Sequence, residues 1–253
     1  MGAILNKNVF KGVAVAGNKI TGMAKGGNIF YRHDGSYAPF ATPILDLDFQ
    51  NNFIDKSPSA LTMVRGKGLP TFGLSGRKVD EYCANFNGSQ SIKTTTNLPL
   101  NSDKVTVAFW MKTTQTKIAM VTEMSPNTNS NNAFYITINE SANKIWLADR
   151  ASNYNIGISV ASVNTGSWIH AVMTIDRSKN GTSQNKIYVN GVLSYVQHGT
   201  YKTDNNSNFL NNILYVGQRN GNAFGYVGSL MKYQVFNQVP TDAQAMDMYQ
   251  NDL

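Results

Sequence analysis

The chain has 253 residues, 42% of them apolar and 15% charged, which is enough to bury a real core and too apolar for a disordered segment. The formal net charge is +7, and +4 of it falls before Pro43, where Lys7, Lys11, Lys19, Lys25 and Arg32 stand against Asp34 alone. The remainder has no concentrated basic face with aromatics in register, which excludes a nucleic-acid surface there, and the basic head reads as a docking surface for an acidic protein partner.

The opening carries a short repeat: Gly12-Val-Ala-Val-Ala-Gly-Asn18 is echoed by Gly22-Met-Ala-Lys-Gly-Gly-Asn28. Gly-Asn pairs at 17–18 and 27–28 supply the positive φ of tight hairpins, so residues 9–31 predict a three-strand meander. So small a sheet is marginal alone and implies a partner or a symmetry mate. Residues 36–43 read as a linker around Pro39 and Pro43, giving a division into 1–42 and 43–253. Leu45-Asp-Leu-Asp-Phe49 then alternates with period two, as a half-buried strand does. Further strands are predicted at 60–65, 81–87, 90–95, 104–112, 117–123, 133–138, 144–149, 156–161, 168–176, 185–195, 213–218 and 226–236. Asn-Gly pairs at 87–88, 180–181, 190–191 and 220–221 separate several of them. Many short strands with hairpin punctuation mean an all-β sandwich or barrel. One helix closes the chain: Thr241-Asp-Ala-Gln244 is a capping box, and Ala245, Met248 and Tyr249 share one face that should lie against the sandwich.

Cys83 is the only cysteine, so an internal disulfide and a cysteine-based zinc site are excluded, and its strand-like surroundings predict a buried thiol. The start does not resemble a secretory leader, and no apolar run reaches the ~20 residues that span a bilayer. The expectation is a protein made in a cytoplasm, with no membrane insertion. Met111, Met120, Met173 and Met231 sit in strand patterns and read as core fillers.

Three segments together resemble the laminin-G/concanavalin A-like lectin superfamily. The first runs from Phe86-Asn-Gly-Ser89 to Val105-Thr-Val-Ala-Phe-Trp-Met-Lys112. The second links Trp168-Ile-His170 to Lys186-Ile-Tyr-Val-Asn-Gly-Val-Leu193, and the third combines Leu214-Tyr-Val-Gly217, Gly228-Ser-Leu230 and Val235-Phe-Asn237 with the terminal helix. The resemblance implies a two-sheet antiparallel jelly-roll sandwich. Phe109 and Trp110 must face opposite sides of one strand, and Trp168 and His170 the same side. His170 reads as a buried, hydrogen-bonded histidine rather than a base or a ligand, and Asn190-Gly191 as a type I′ turn. Relatives of this kind often hold a structural calcium with acids that follow the penultimate Gly-x-Ile motif. Here Met231-Lys232 stand in that place, so no calcium is expected beside Asp55, and the Lys232 ammonium is a candidate substitute for the ion.

The same sandwich hosts glycoside hydrolases, which need paired carboxylates. Only Glu81, Glu123 and Glu140 are glutamates, and none has an acid at i+2. Asp46 and Asp48 lie about 6.6 Å apart along a strand, but their alternation with Leu45, Leu47 and Phe49 marks a solvent face. The expectation is that the protein is not an enzyme and has no cofactor. Sugar sites combine amide and hydroxyl partners with an aromatic face, which points to the Asn-rich loops 127–132, 153–155, 204–208 and 219–222. Tyr154, Arg219, Asn220 and Tyr226 are the candidate ligand-binding residues. The preferred reading is a bacteriophage virion component, a tail, fibre or capsid appendage. It would dock to other virion proteins or to itself through Lys7, Lys11, Lys19, Lys25 and Arg32, assemble as a homo-oligomer and display a lectin-like face to host glycans. The alternatives are a cell-derived carbohydrate-binding or adhesion module and, ranked third, a glycoside hydrolase of the same fold.

Overall fold

The computed structural model describes the strand backbone within residues 4–31, together with residues 40–125, 133–139, 143–150, 154–179, 185–196, 208–219 and 223–252. The chain divides into two compact units, Met1–Phe40 with Asp252–Leu253, and Ala41–Asn251.

In the first unit β1 (Ile4–Leu5) pairs with β2 (Asn8–Val9), while β3 (Lys11–Ala16), β4 (Lys19–Lys25) and β5 (Asn28–Tyr31) form an antiparallel meander in that order. Lys11, Lys19 and Lys25 lie on these strands, at register positions opposite Ala24, Ala16 and Asn28. Lys7 and Arg32 lie outside the described residues.

The second unit is a two-sheet sandwich. Its strands are β6 (Leu45–Leu47), β7 (Met63–Arg65), β8 (Thr71–Leu74), β9 (Tyr82–Asn87), β10 (Ile92–Thr94), β11 (Lys104–Lys112), β12 (Ala119–Met124) and β13 (Ala133–Ile138). They continue as β14 (Ile145–Arg150), β15 (Tyr154–Ile158), β16 (Ile169–Asp176), β17 (Asn185–Val189), β18 (Val192–Val196), β19 (Leu214–Val216) and β20 (Val227–Phe236). A seven-stranded sheet has the order β15-β14-β13-β12-β19-β10-β7, and an eight-stranded one the order β18-β17-β16-β11-β20-β9-β8, with β6 also pairing β20. All the named pairings are antiparallel. The run at 185–195 is a hairpin, with its turn at Asn190-Gly191 as the sequence implies: the two residues take φ of 51° and 75° and turn the chain back. Strand β8 was not foreseen; it has only four residues, and the glycine among them weakens its pattern.

The core lies between the sheets, where period-two alternation sends Leu45, Leu47, Phe109, Met111, Phe134, Ile136, Met173 and Tyr233 inward. Phe109 stacks on Tyr233 with centroids 5.9 Å apart. Trp110 points the other way, as one residue along a strand must. On that outer face of the eight-stranded sheet it packs with Cys83 and Met231, and its ring lies 5.1 Å from His170 and 5.7 Å from Tyr249 of α1 (Asp242–Gln250). Thr241 and Gln244 close the capping box of α1, and Ala245 and Met248 are its buried residues. The Arg77 guanidinium sits 4.2 Å above the Trp110 ring, and Trp168 Nε1 donates to Ser75 O at 2.9 Å. Helix α1 and the segment around 75–81 therefore close this face, and His170 is a buried structural residue. Its main chain is bonded twice to Asn190, but its ring Nδ1 has no partner among the described residues.

Two glycines set the chain that crosses to the opposite face. Gly217 has φ +93°, and a Cβ there would meet the Phe86 ring at 2.6 Å. A Cβ on Gly225 would stand 1.8 Å from the Gly88 carbonyl oxygen, so the two backbones approach as only glycine permits.

Candidate functional site

Among the described residues no helix covers the outer face of the seven-stranded sheet, yet every residue of β12 and β13 is buried. Cross-strand register explains what lies there. Lys93, Tyr215, Glu123, Tyr135, Ala148 and Ile156 pair successively across β10, β19, β12, β13, β14 and β15, so they form one row on one face. A second row joins Met120, Thr137, Trp146 and Ile158.

The chain leaving β19 folds back over this face. Arg219 and Ala223 exchange main-chain hydrogen bonds of 2.8 and 3.2 Å, and Met120 N donates to Phe224 O at 2.7 Å. The Arg219 guanidinium consequently lies 5.1 Å from the ring centroids of both Tyr135 and Phe224. Its Nε is 3.6 Å from Oε1 of Glu123, a carboxylate only 2% exposed. Arg150 approaches the Tyr135 ring at 5.8 Å, and Lys93 the Tyr215 ring at 5.8 Å. Burial pushes the Tyr215 phenol pKa up, and the Glu123 carboxylate adds to the shift. Phe224 is 44% exposed, an aromatic plane offered to solvent at the rim. The arrangement supplies a stacking ring, tyrosine hydroxyls and cationic donors around one carboxylate. That is the equipment of a recognition face.

Of the candidate ligand residues, Arg219 is brought into this cluster. Tyr226 is not: it is completely buried, T-stacked on Phe86, and its hydroxyl lies 3.3 Å from the carbonyls of Lys112 and Ser229. The expectation that it meets a ligand is corrected by this packing, and burial drives its phenol pKa far upward. Tyr154 begins edge strand β15 opposite Arg150, and its side chain is outside the described residues, as is Asn220. Glu123, Tyr135, Tyr215 and Arg150 were missed. The available signal was a glutamate inside the apolar run Ala119–Met124, since a charge in a strand buried on both faces needs a partner.

The residues near the family's calcium position do not fit the ion. Asp55 already accepts from Asp46 N, Ser57 N, Ser57 Oγ and Leu61 N at 2.7–2.9 Å, which engages both of its oxygens. Met231 is fully buried against Trp110. The Lys232 ammonium is 3.7 Å from Glu81 and not a stand-in ion for Asp55, whose oxygens are held by the surrounding main chain and Ser57. Asp46 accepts from Gln234 Nε2 at 3.2 Å, and Asp48 pairs with Lys56, while Leu45, Leu47 and Phe49 enter the core. Among the described residues no three His, Cys, Asp or Glu side chains cluster as a metal site.

Comparison with solved structures finds the same sandwich elsewhere. Domain 4 of AbnA, a GH43 extracellular arabinanase from Geobacillus stearothermophilus in complex with arabinotriose, superposes with a TM-score of 0.64 at 18% identity, covering 83% of this chain and 99% of that one. The binding domain of botulinum neurotoxin DC in complex with SialylT gives 0.60 at 13% identity, over 83% of this chain and 51% of that one. A heptameric SAP-like pentraxin from Limulus polyphemus gives 0.52 at 17% identity, over 65% and 80%. At these identities the likeness is one of fold. No curated protein matches the chain. The family model described as the concanavalin A-like lectin/glucanases superfamily matches residues 86–246, well over half of the sequence, and the chain belongs to that superfamily.

Proposed function

We propose that this chain is a non-catalytic glycan-binding protein whose recognition face is the outer surface of the seven-stranded sheet. The observation that carries the reading is the Arg219 guanidinium flanked by Tyr135 and the exposed Phe224 on the sheet face away from α1. Sugar recognition needs an aromatic plane beside oriented polar donors, and this cluster has both. The arabinanase domain with arabinotriose and the toxin domain with SialylT support a saccharide as the ligand class. Catalysis is not part of the reading. Hydrolysis by this fold needs two carboxyl groups about 5–9.5 Å apart, and Glu123 is the one acid in the cross-strand row. On a glycan array the full chain is expected to bind at least one saccharide without cleaving it. Phe224→Ala, which removes an exposed ring, should weaken that binding about tenfold with the thermal transition unchanged. An array with no bound glycan overturns the reading, and cleavage products replace it with an enzyme.

The first unit, strand-rich and carrying Lys11, Lys19 and Lys25, is the proposed docking segment, and a bacteriophage virion the proposed setting, reached from the cytoplasm of synthesis. The concentration of charge in residues 1–42 supports an acidic protein partner. Deleting residues 1–40 is expected to abolish incorporation into virions and leave glycan binding in place. Incorporation at wild-type levels would remove the docking role.

A further inference from the structure

Resting on the glycan-binding reading, we infer that the face around Arg219 selects an anionic sugar, whose carboxylate or sulfate is received by the Arg219 guanidinium. Arg219 is nearly buried, with 17% of its side chain exposed; its Nε is sealed from solvent without a hydrogen-bond partner, so any donor a ligand can reach is an Nη group. Its contact with Glu123, at 3.6 Å, is an ion pair too long to be a hydrogen bond. A guanidinium carries five N–H donors in a rigid fork, four of them on the two Nη atoms, which can serve a ligand oxyanion. The Tyr135 and Phe224 rings flank it, each with its centroid 5.1 Å from Cζ, and the fork matches two oxygens of an oxyanion.

The surrounding charge points the same way. The described strands of this sheet carry two acids, Glu123 and Asp149. Glu123 is buried beneath Arg219, and Asp149 faces the interior, where Arg177 neutralises it. Lys93 and Arg150 remain on the outer face beside their tyrosines. Among the described strands of this sheet an incoming ligand therefore meets cations and no exposed carboxylate, and an anion gains where a neutral sugar does not. Phe224 would take the sugar ring while Arg219 takes its charge.

The test uses the full chain and three matched sets of oligosaccharides: carboxylate-bearing, the same compounds with the carboxyl reduced to an alcohol, and sulfated counterparts. The expected result is that one anionic set binds at least about tenfold tighter than the reduced set, with the advantage shrinking as salt rises. Whichever set leads identifies the anion. Arg219→Gln should remove the advantage and leave residual binding to the neutral set. Arg219→Lys, which keeps the charge opposite Glu123 but not the fork, should retain the fold and lose most of the preference. Equal binding of anionic and neutral sets overturns the inference while glycan binding stands; no binding of any set overturns both. An anionic preference that survives both substitutions at Arg219 also overturns it.

Discussion

Arg177→Met is expected to destabilise the sandwich by about 3–5 kcal/mol, because it strands a carboxylate in the core. Arg177 and Asp149 are both completely buried, with Nη2 2.6 Å from Oδ1 and Nε 3.3 Å from both carboxylate oxygens. Asp149 lies on β14 of the seven-stranded sheet, and Arg177 begins the 3₁₀ turn that follows β16 of the eight-stranded one. The pair thus ties the two layers together at one end. Phe209 lies under the guanidinium, 3.5 Å from Cζ to ring centroid, so the charge is held on an aromatic plane as well as by its partner. With methionine the Asp149 carboxylate loses the Arg177 guanidinium, and for a domain of this size the melting temperature should fall by roughly 10–15 °C. Desolvating the two ions consumes much of what their attraction returns, so removing both should cost far less than removing one. Asp149→Leu with Arg177→Met is accordingly expected to recover most of the loss in thermal melts followed by circular dichroism. If the double variant is as unstable as the single one, the stranded charge is not the cause.

The contrast between that pair and the sheet pattern shows where reading the sequence succeeds. Leu45, Leu47 and Phe49 alternate with acids, and Phe109 and Trp110 are adjacent on one strand, so the pleat alone decides which faces inward. The fold follows from such local periodicity, and so do the turn at Asn190-Gly191 and the box at Thr241. The recognition face does not. Glu123, Tyr135 and Tyr215 become neighbours only through strand register, with β19 some ninety residues beyond β12, and nothing local announces that register. Tyr226 fails for the same reason. It opens the predicted strand 226–236 beside an Asn-rich loop, but the Gly88–Gly225 approach and the carbonyls of Lys112 and Ser229 draw it into the core. Arg219 was found because a cation in an Asn-rich loop is visible locally. Its carboxylate partner was not, being a long-range consequence of the fold.

His170 should make the protein lose stability as the solution is acidified from pH 6.5 toward 5. The ring is enclosed by Trp110 on β11 and Tyr249 on α1, and its Nδ1 has no partner among the described residues. Burial, and after it the charges of Arg77 and Lys232, push its pKa from 6.5 down to about 3, while Glu81 pairs with those same two cations. The native state therefore keeps the imidazole neutral where the unfolded chain protonates it. Between pH 6.5 and 3 the unfolded state holds the extra proton, and stability falls as pH falls. At about 1.4 kcal/mol per pH unit, acidification from 6.5 to 5 should cost roughly 2 kcal/mol. Glu81 and Asp242, whose pKa values are lowered, and Asp46, whose pKa is raised, enter only nearer the carboxylate range, so the upper window belongs to histidine. His170→Phe keeps a ring against Trp110 and Tyr249 and cannot take up a proton, so its unfolding free energy should be flatter between pH 6.5 and 5 by that amount. Urea midpoints of the two proteins at pH 7, 6 and 5 measure the difference. Parallel curves would mean that the buried imidazole is not the group that reports the acid.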